Sequence, residues 1–274
     1  MKRYVNAARL KRLGAFILDF FLIILGATIL FLGFMEVFSN STLMKEANEK
    51  INDIQIESYL YKLDEKTGFT KIVDEKEYEI AIKNFYCEYK DDSALYHKKM
   101  TESELFIYEN GTYYKKENIK EEDVKIFYQE LMGEAILEIK NNEDYKKSSD
   151  IIINCELYCV AVSILVSYII FIILIPIIRK NKNTIGQVVM NLKLVNIDGY
   201  GKPTNTQIIF RAIIILITEV YLATYCYGAT IIVSFAMIIF RKDNSSYHDL
   251  LSSTIMIDNH YIELDDQINF NKEG

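Results

Sequence analysis

The sequence predicts a mainly α-helical integral membrane protein with three long apolar segments, the third readable as a broken helix or hairpin, and a small α+β extracytoplasmic insert. Two observations lead there. Half of the 274 residues are hydrophobic and a quarter are charged, yet mean hydropathy is only +0.06. That average hides segregation: residues 37–150 hold 17 Lys, no Arg and 26 Asp plus Glu, while long apolar runs lie on either side. The net charge of -7 argues against a nucleic-acid partner, whose phosphates need a basic face.

Residues 1–36 form the cytoplasmic N-terminus and first transmembrane helix. MKRYVNAARLKR carries five Lys or Arg ahead of the apolar run, which places it in the cytoplasm. The run at 13–35 is about 34 Å long as a helix, enough to cross a hydrocarbon core of about 30 Å. It is too long for a secretory h-region and contains Asp19, so it reads as a retained anchor.

Residues 37–150 form the insert. KEANEKINDIQIESYL is expected to prolong the first span, and EEDVKIFYQELMGEAILEIK has a helical stripe at Val124, Phe127, Leu131, Ala135 and Ile136. Between them LFIYENGTYYKK is a hairpin signal, because Asn110 and Gly111 suit the positive φ of a type I′ turn.

Residues 151–178 hold the second transmembrane helix, which returns to the basic RKNK at Arg179–Lys182 and so to the cytoplasm. Residues 179–207 form a cytoplasmic loop whose alternating Val, Leu and Ile, followed by Asp198-Gly199, read as short strands with a turn. Residues 208–274 contain the third membrane segment and C-terminal tail. The apolar stretch 208–240 would be about 50 Å as one helix, longer than a bilayer needs. The polar TYCYG at 224–228 favours a broken hairpin returning at Arg241 and Lys242; a single tilted helix is the alternative.

A carboxylate inside a membrane helix is costly and asks for a reason. Arg12 lies two turns before Asp19 and is expected to snorkel to the interface, leaving Arg211 as the natural partner of Asp19. Glu219 is a second carboxylate in the third segment, whereas Glu156 sits near the outer end of its helix and reads as solvated or interfacial. Such a set suits a proton or cation relay, and equally a hydrogen-bonded pair that only fixes helix register.

His248-Asp249 has no accompanying nucleophile motif, so no catalysis is expected; the pair reads as a cap or anchor at the end of the last segment. The spacing of His97, His248 and His260 and of Cys87, Cys155, Cys159 and Cys226 predicts neither a metal site nor a disulfide framework, and no cofactor is expected.

Three separated stretches together resemble the RDD family of bacterial membrane proteins. RLGAFILD supplies Arg12 and Asp19. TIGQVVMNLKLVNIDGYGKPTNTQIIFRA supplies Thr184, Gly186, Asp198, Gly199 and Arg211, and YHDLLSSTIMI supplies His248, Asp249 and Thr254. The departures are Ser252-Ser253 where Ala-Gly is usual, Gln187 where Lys is frequent, and the insert. The resemblance implies a bacterial plasma-membrane protein that moves a small ligand or couples cation to proton movement, with Asp19 as the membrane aspartate. With so few segments a transporter of this kind is expected to be a homo-oligomer. The other reading is a non-transporting sensor or assembly module whose residues 37–150 bind a protein partner.

Overall fold

The computed structural model describes residues 6–259, apart from the side chains at 220, 223 and 224. His260 and the acidic tail, like the first five residues, lie outside the described part. The chain divides into two compact units, one made of residues up to Phe34 together with those from Cys159, the other of Met35–Tyr158.

Helix α1, Arg9–Ser39, has 31 residues, about 46 Å. Its buried positions, Arg12, Ala15, Asp19 and Ala27, form one narrow stripe. Around them Phe16, Ile17, Phe20, Phe21, Ile29 and Leu32 are exposed. Burying each such side chain in an apolar medium is worth about 1.5–3 kcal/mol, so this surface suits hydrocarbon and not water.

The unit Met35–Tyr158 is α+β. Ser41 ends the first helix and caps α2, Thr42–Glu57, by accepting from the Met44 N–H at 3.4 Å. The expected prolongation of the first span is therefore a separate helix. A short hairpin follows, β1 Tyr61–Leu63 with β2 Thr70–Ile72, then α3 Tyr78–Asn84, widening into a π turn over Phe85–Tyr89, and α4 Ser93–Glu102. The second hairpin joins β3 Phe106–Glu109 to β4 Thr112–Lys115, with Asn110 at φ 49 and Gly111 at φ 83 as the turn chemistry requires. Helix α5, Glu121–Asn141, then buries Leu131 and Ala135 against Leu60, Ile82, Phe85, Tyr86 and Met100, with Val124, Phe127 and Ile136 half-buried beside them. The predicted stripe thus faces the core of this unit.

Helix α6, Glu143–Tyr168, continues through a π turn at Ile169–Leu174 into α7, Ile175–Ile178, giving 36 residues from Glu143. Pro176 explains the widened turn: its ring would meet the carbonyl four residues back, and a local π bulge relieves that clash. By length and composition, α1 and this helix are the two helices of the described residues able to cross a membrane.

In the other unit, the predicted loop strands are partly a helix. TIGQVV forms α8, Ile185–Val189, because Thr184 and Gln187 make a capping box. β5, Leu192–Asn196, finds its partner far away in β6, Thr254–Asp258, in antiparallel register with Leu194 opposite Met256. Residues 6 and 7 join the other edge of β6, with the Ala7 N–H donating to the Met256 carbonyl at 3.1 Å.

The third apolar stretch is a hairpin: α9 Asn205–Ile215, a π turn at Leu216–Tyr221 and α10 Leu222–Tyr225 lead to a reversal, then α11 Ala229–Phe240 runs back. Tyr227 at φ 49 and Gly228 at φ 80 make the reversal, which excludes the single tilted helix. Helix α12, Tyr247–Leu251, precedes β6.

Candidate functional site

Asp19 points at the start of α8. Its Oδ1 accepts the Gly186 N–H at 2.7 Å and its Oδ2 the Thr184 hydroxyl at 2.6 Å. Gly186 is required for this: a Cβ there would stand 2.2 Å from the Ala15 carbonyl oxygen and 2.9 Å from the Asp19 carboxyl carbon. The Thr-x-Gly spacing thus brings a backbone N–H and a hydroxyl onto one carboxylate. Both are donors that helix starts otherwise leave unsatisfied or turned to water.

Arg211 does not pair with Asp19. Its Nε donates to Asp249 Oδ1 at 3.0 Å and its Nη2 lies 2.9 Å from the same oxygen. Arg12 takes the other oxygen through Nη2 and gives Nη1 to the Asn244 carbonyl. Instead of snorkelling, Arg12 is buried, with 4% of its surface exposed. The Ser246 N–H adds a third donor to Asp249 at 3.2 Å. Burial would raise the Asp249 carboxyl, but the two guanidiniums hold it well below the usual carboxylate range, so it is ionised. The three charged groups form a clasp joining α1, α9 and α12.

His248 stands at the edge of the clasp. Its Nδ1 is 3.1 Å from Glu219 Oε1, which also accepts the Ser234 hydroxyl at 2.8 Å, while its Nε2 is 3.6 Å from Asp249 Oδ1. His248 and Asp249 therefore tie α12 to the hairpin and to α1. Glu156 is exposed, like the apolar Leu157 and Tyr158 beside it. Thr184 and Gly186 belong to the site, whereas Asp198 and Gly199 form an exposed turn after β5, with Gly199 at φ 98.

The two serines that replace Ala-Gly have definite surroundings. Ser252 is buried and donates its hydroxyl to the His248 carbonyl at 2.7 Å, with Thr254 Oγ1 at 2.8 Å. Ser253 has φ 52, a left-handed conformation that glycine adopts at lower cost.

Several members of the site escaped sequence reasoning. Asn244 receives Arg12 on its carbonyl and Arg9 on its side-chain oxygen at 3.2 Å, and donates to the Ala7 carbonyl at 3.2 Å. Ser234 was equally unmarked, and Gln187 was marked only as a departure from the family's usual Lys; only the left-handed tolerance of Asn, used here at φ 52, hinted at Asn244.

Beside the clasp lies a cleft of about 500 Å³. Its walls are mainly apolar side chains of α1, α6 and α11, and Arg12, Asp19, Arg211, Glu219 and His248 reach it. Phe16 and Phe235 meet edge to face across it, ring centres 5.8 Å apart.

The RDD family model matches residues 126–253, which takes in Thr184, Gly186, Arg211, Glu219, His248 and Asp249 and leaves Arg12 and Asp19 outside. The structure nevertheless joins those two residues to the matched part. No curated protein and no solved structure matches the chain.

Proposed function

The chain is an RDD family protein over residues 126–253, and on that premise we propose that it is a multi-pass membrane protein whose cleft binds and moves a small ligand. One observation carries this reading. The ionisable groups of the membrane body are largely matched to one another, with Asp19 on Thr184 and Gly186 and Asp249 on Arg12 and Arg211, while a mainly apolar cleft stays open beside them. A relay for cations would need carboxylate oxygens free to exchange partners. No catalytic role is assigned to His248.

The proposed topology follows from basic residues and strand pairing. Residues 6–7, β5 and β6 meet in one small sheet, and Arg9, Lys11, Arg179, Lys180, Arg241 and Lys242 lie in the adjoining sequence. The positive-inside rule puts that side in the cytoplasm of a bacterial cell. Helix α1 then runs outward, the helix from Glu143 returns, and the α9–α11 hairpin enters and leaves from the cytoplasmic side. The unit Met35–Tyr158 is outside.

The reading is tested with full-length protein held in amphipol and the apolar fluorophore N-phenyl-1-naphthylamine. One saturable site, lost in Ile238→Trp and in Ile231→Trp, supports it. Unsaturable binding, or binding indifferent to both cleft-filling changes, overturns it.

A second reading, a sensor whose outer unit binds a protein, is favoured by the separate aromatic core of that unit. It predicts that deleting residues within 42–141 abolishes a reproducible envelope partner while fluorophore binding persists.

A further inference from the structure

The α9–α11 hairpin is too short to cross a bilayer. Its returning arm, α11, has twelve residues between Gly228 and Arg241, about 18 Å, against a hydrocarbon core of about 30 Å. Tilt only shortens that reach. The rising arm agrees: from Arg211, clasped with Arg12 at the foot of α1, to Tyr225 is fourteen residues, about 21 Å.

A contact between helices gives the shortfall independently. Phe16 and Phe235 meet with ring centres 5.8 Å apart. From Phe235 the hairpin has seven residues left to Gly228, about 10 Å, while from Phe16 helix α1 has eighteen left to Phe34, about 27 Å. The tip stops about 16 Å short of the end of that apolar run.

The tip is not a surface for hydrocarbon. Tyr227 at φ 49 and Gly228 at φ 80 take its backbone out of helix. Tyr227 is 98% exposed, and Tyr225 and Cys226 are exposed beside it, so the described residues leave the turn uncovered. Non-helical backbone at membrane depth is tolerated only where protein buries it or water reaches it. Tyrosines belong at membrane–water boundaries, and burying their hydroxyls without partners is costly, which favours water over a covering protein.

We infer that the hairpin is re-entrant and that its tip, residues 225–228, is the floor of a water-filled vestibule open to the extracytoplasmic side. The vestibule leads to the cleft: Ile231, one turn inside Gly228, lines the cleft together with Ile23 and Ile164. A ligand arriving from outside meets the cleft just beneath the tip. The inference rests on the cytoplasmic placement of Arg241 and Lys242 proposed above, and it adds the side from which the cleft is reached.

The chain has no tryptophan, so one introduced tryptophan reports without background. The test uses full-length Ile232→Trp and Tyr227→Trp in phosphatidylcholine nanodiscs; both positions are exposed, so neither change disturbs packing. Ile232 lies nine residues from Arg241, about 14 Å and so near the bilayer centre. Its tryptophan is expected to be quenched best by lipid brominated near the chain ends. Tyr227→Trp, little more than one turn further out, is expected to be quenched by aqueous iodide with a constant about tenfold above that of Ile232→Trp. Best quenching of Ile232→Trp by bromine near the headgroup would put the tip at the outer surface and overturn the re-entrant hairpin. Iodide quenching of Tyr227→Trp as weak as that of Ile232→Trp would mean that protein, such as a second copy, covers the tip, and would overturn the vestibule. Neither readout needs fluorophore bound in the cleft, so absence of a saturable fluorophore site strikes the ligand reading alone.

Discussion

Asp249 and Arg211 meet through two guanidinium nitrogens on one oxygen, Nε at 3.0 Å and Nη2 at 2.9 Å, while Arg12 occupies the other oxygen of the same carboxylate. Asp249 is fully buried, so its charge depends on both arginines. Removing one member of a buried pair typically costs about 3–5 kcal/mol because the other charge is left uncompensated. Arg211→Met is therefore expected to lower the thermal unfolding midpoint in detergent steeply. The double variant Arg211→Met with Asp249→Leu should lose less than the sum of its parts, since the two residues share one network.

The same pair sets a pH dependence. The folded-state carboxyl of Asp249 lies below its unfolded value, so its contribution is complete above the unfolded pKa of about 3.9 and is lost as pH falls through the folded value. The difference in unfolding midpoint between native protein and Asp249→Asn should be constant from about pH 8 to about pH 5 and shrink below about pH 4. Midpoints measured across that range check it; a difference that disappears near neutrality would contradict the clasp.

Gly186 and Gly33 form a controlled comparison. A methyl at Gly186 meets the Ala15 carbonyl at 2.2 Å, whereas nothing lies within 4 Å of a methyl at Gly33. Gly186→Ala should push α8 off α1 and break both hydrogen bonds to Asp19, costing about 3 kcal/mol or more by overpacking and lost polar contacts. Gly33→Ala should be neutral or stabilising by up to about 1 kcal/mol in a helix interior. Size-exclusion profiles after graded heating separate the two.

Ser253 holds a left-handed backbone at φ 52. Relief of that strain by glycine outweighs the extra freedom glycine brings to the unfolded chain, so Ser253→Gly is expected to gain about 0.5 kcal/mol. Ser253→Val, branched at Cβ, should lose stability. Unfolding midpoints of both variants are the readout.

Local signals carried part of this architecture. The apolar runs of α1 and α6, the Asn110-Gly111 turn and the α5 stripe are each written within one short stretch, and the structure realises them. Long-range pairing was not written there. Arg12 and Asp249 are 237 positions apart, and nothing near Arg12 says that it turns inward to an aspartate instead of outward to the interface. Likewise β5 pairs with β6 across about sixty residues, and TIGQVV, though rich in β-branched residues, is a helix because Thr184 and Gln187 form a capping box at its start. Asp19 and Arg211 were legible as site residues, but their partners were exchanged: each carboxylate is satisfied by whichever donors the packing of α8 and α12 brings close.

The proposed ligand cleft is flanked by charges that compensate one another. The most direct test of that compensation measures pH-gradient dissipation in proteoliposomes on adding Na⁺, K⁺ or Li⁺, using protein whose fluorophore binding proves the cleft intact. No cation-dependent proton movement is expected in the native protein or in Asp19→Asn. Cation-dependent movement in the native protein that is lost in Asp19→Asn would contradict it and make Asp19 part of an ion path.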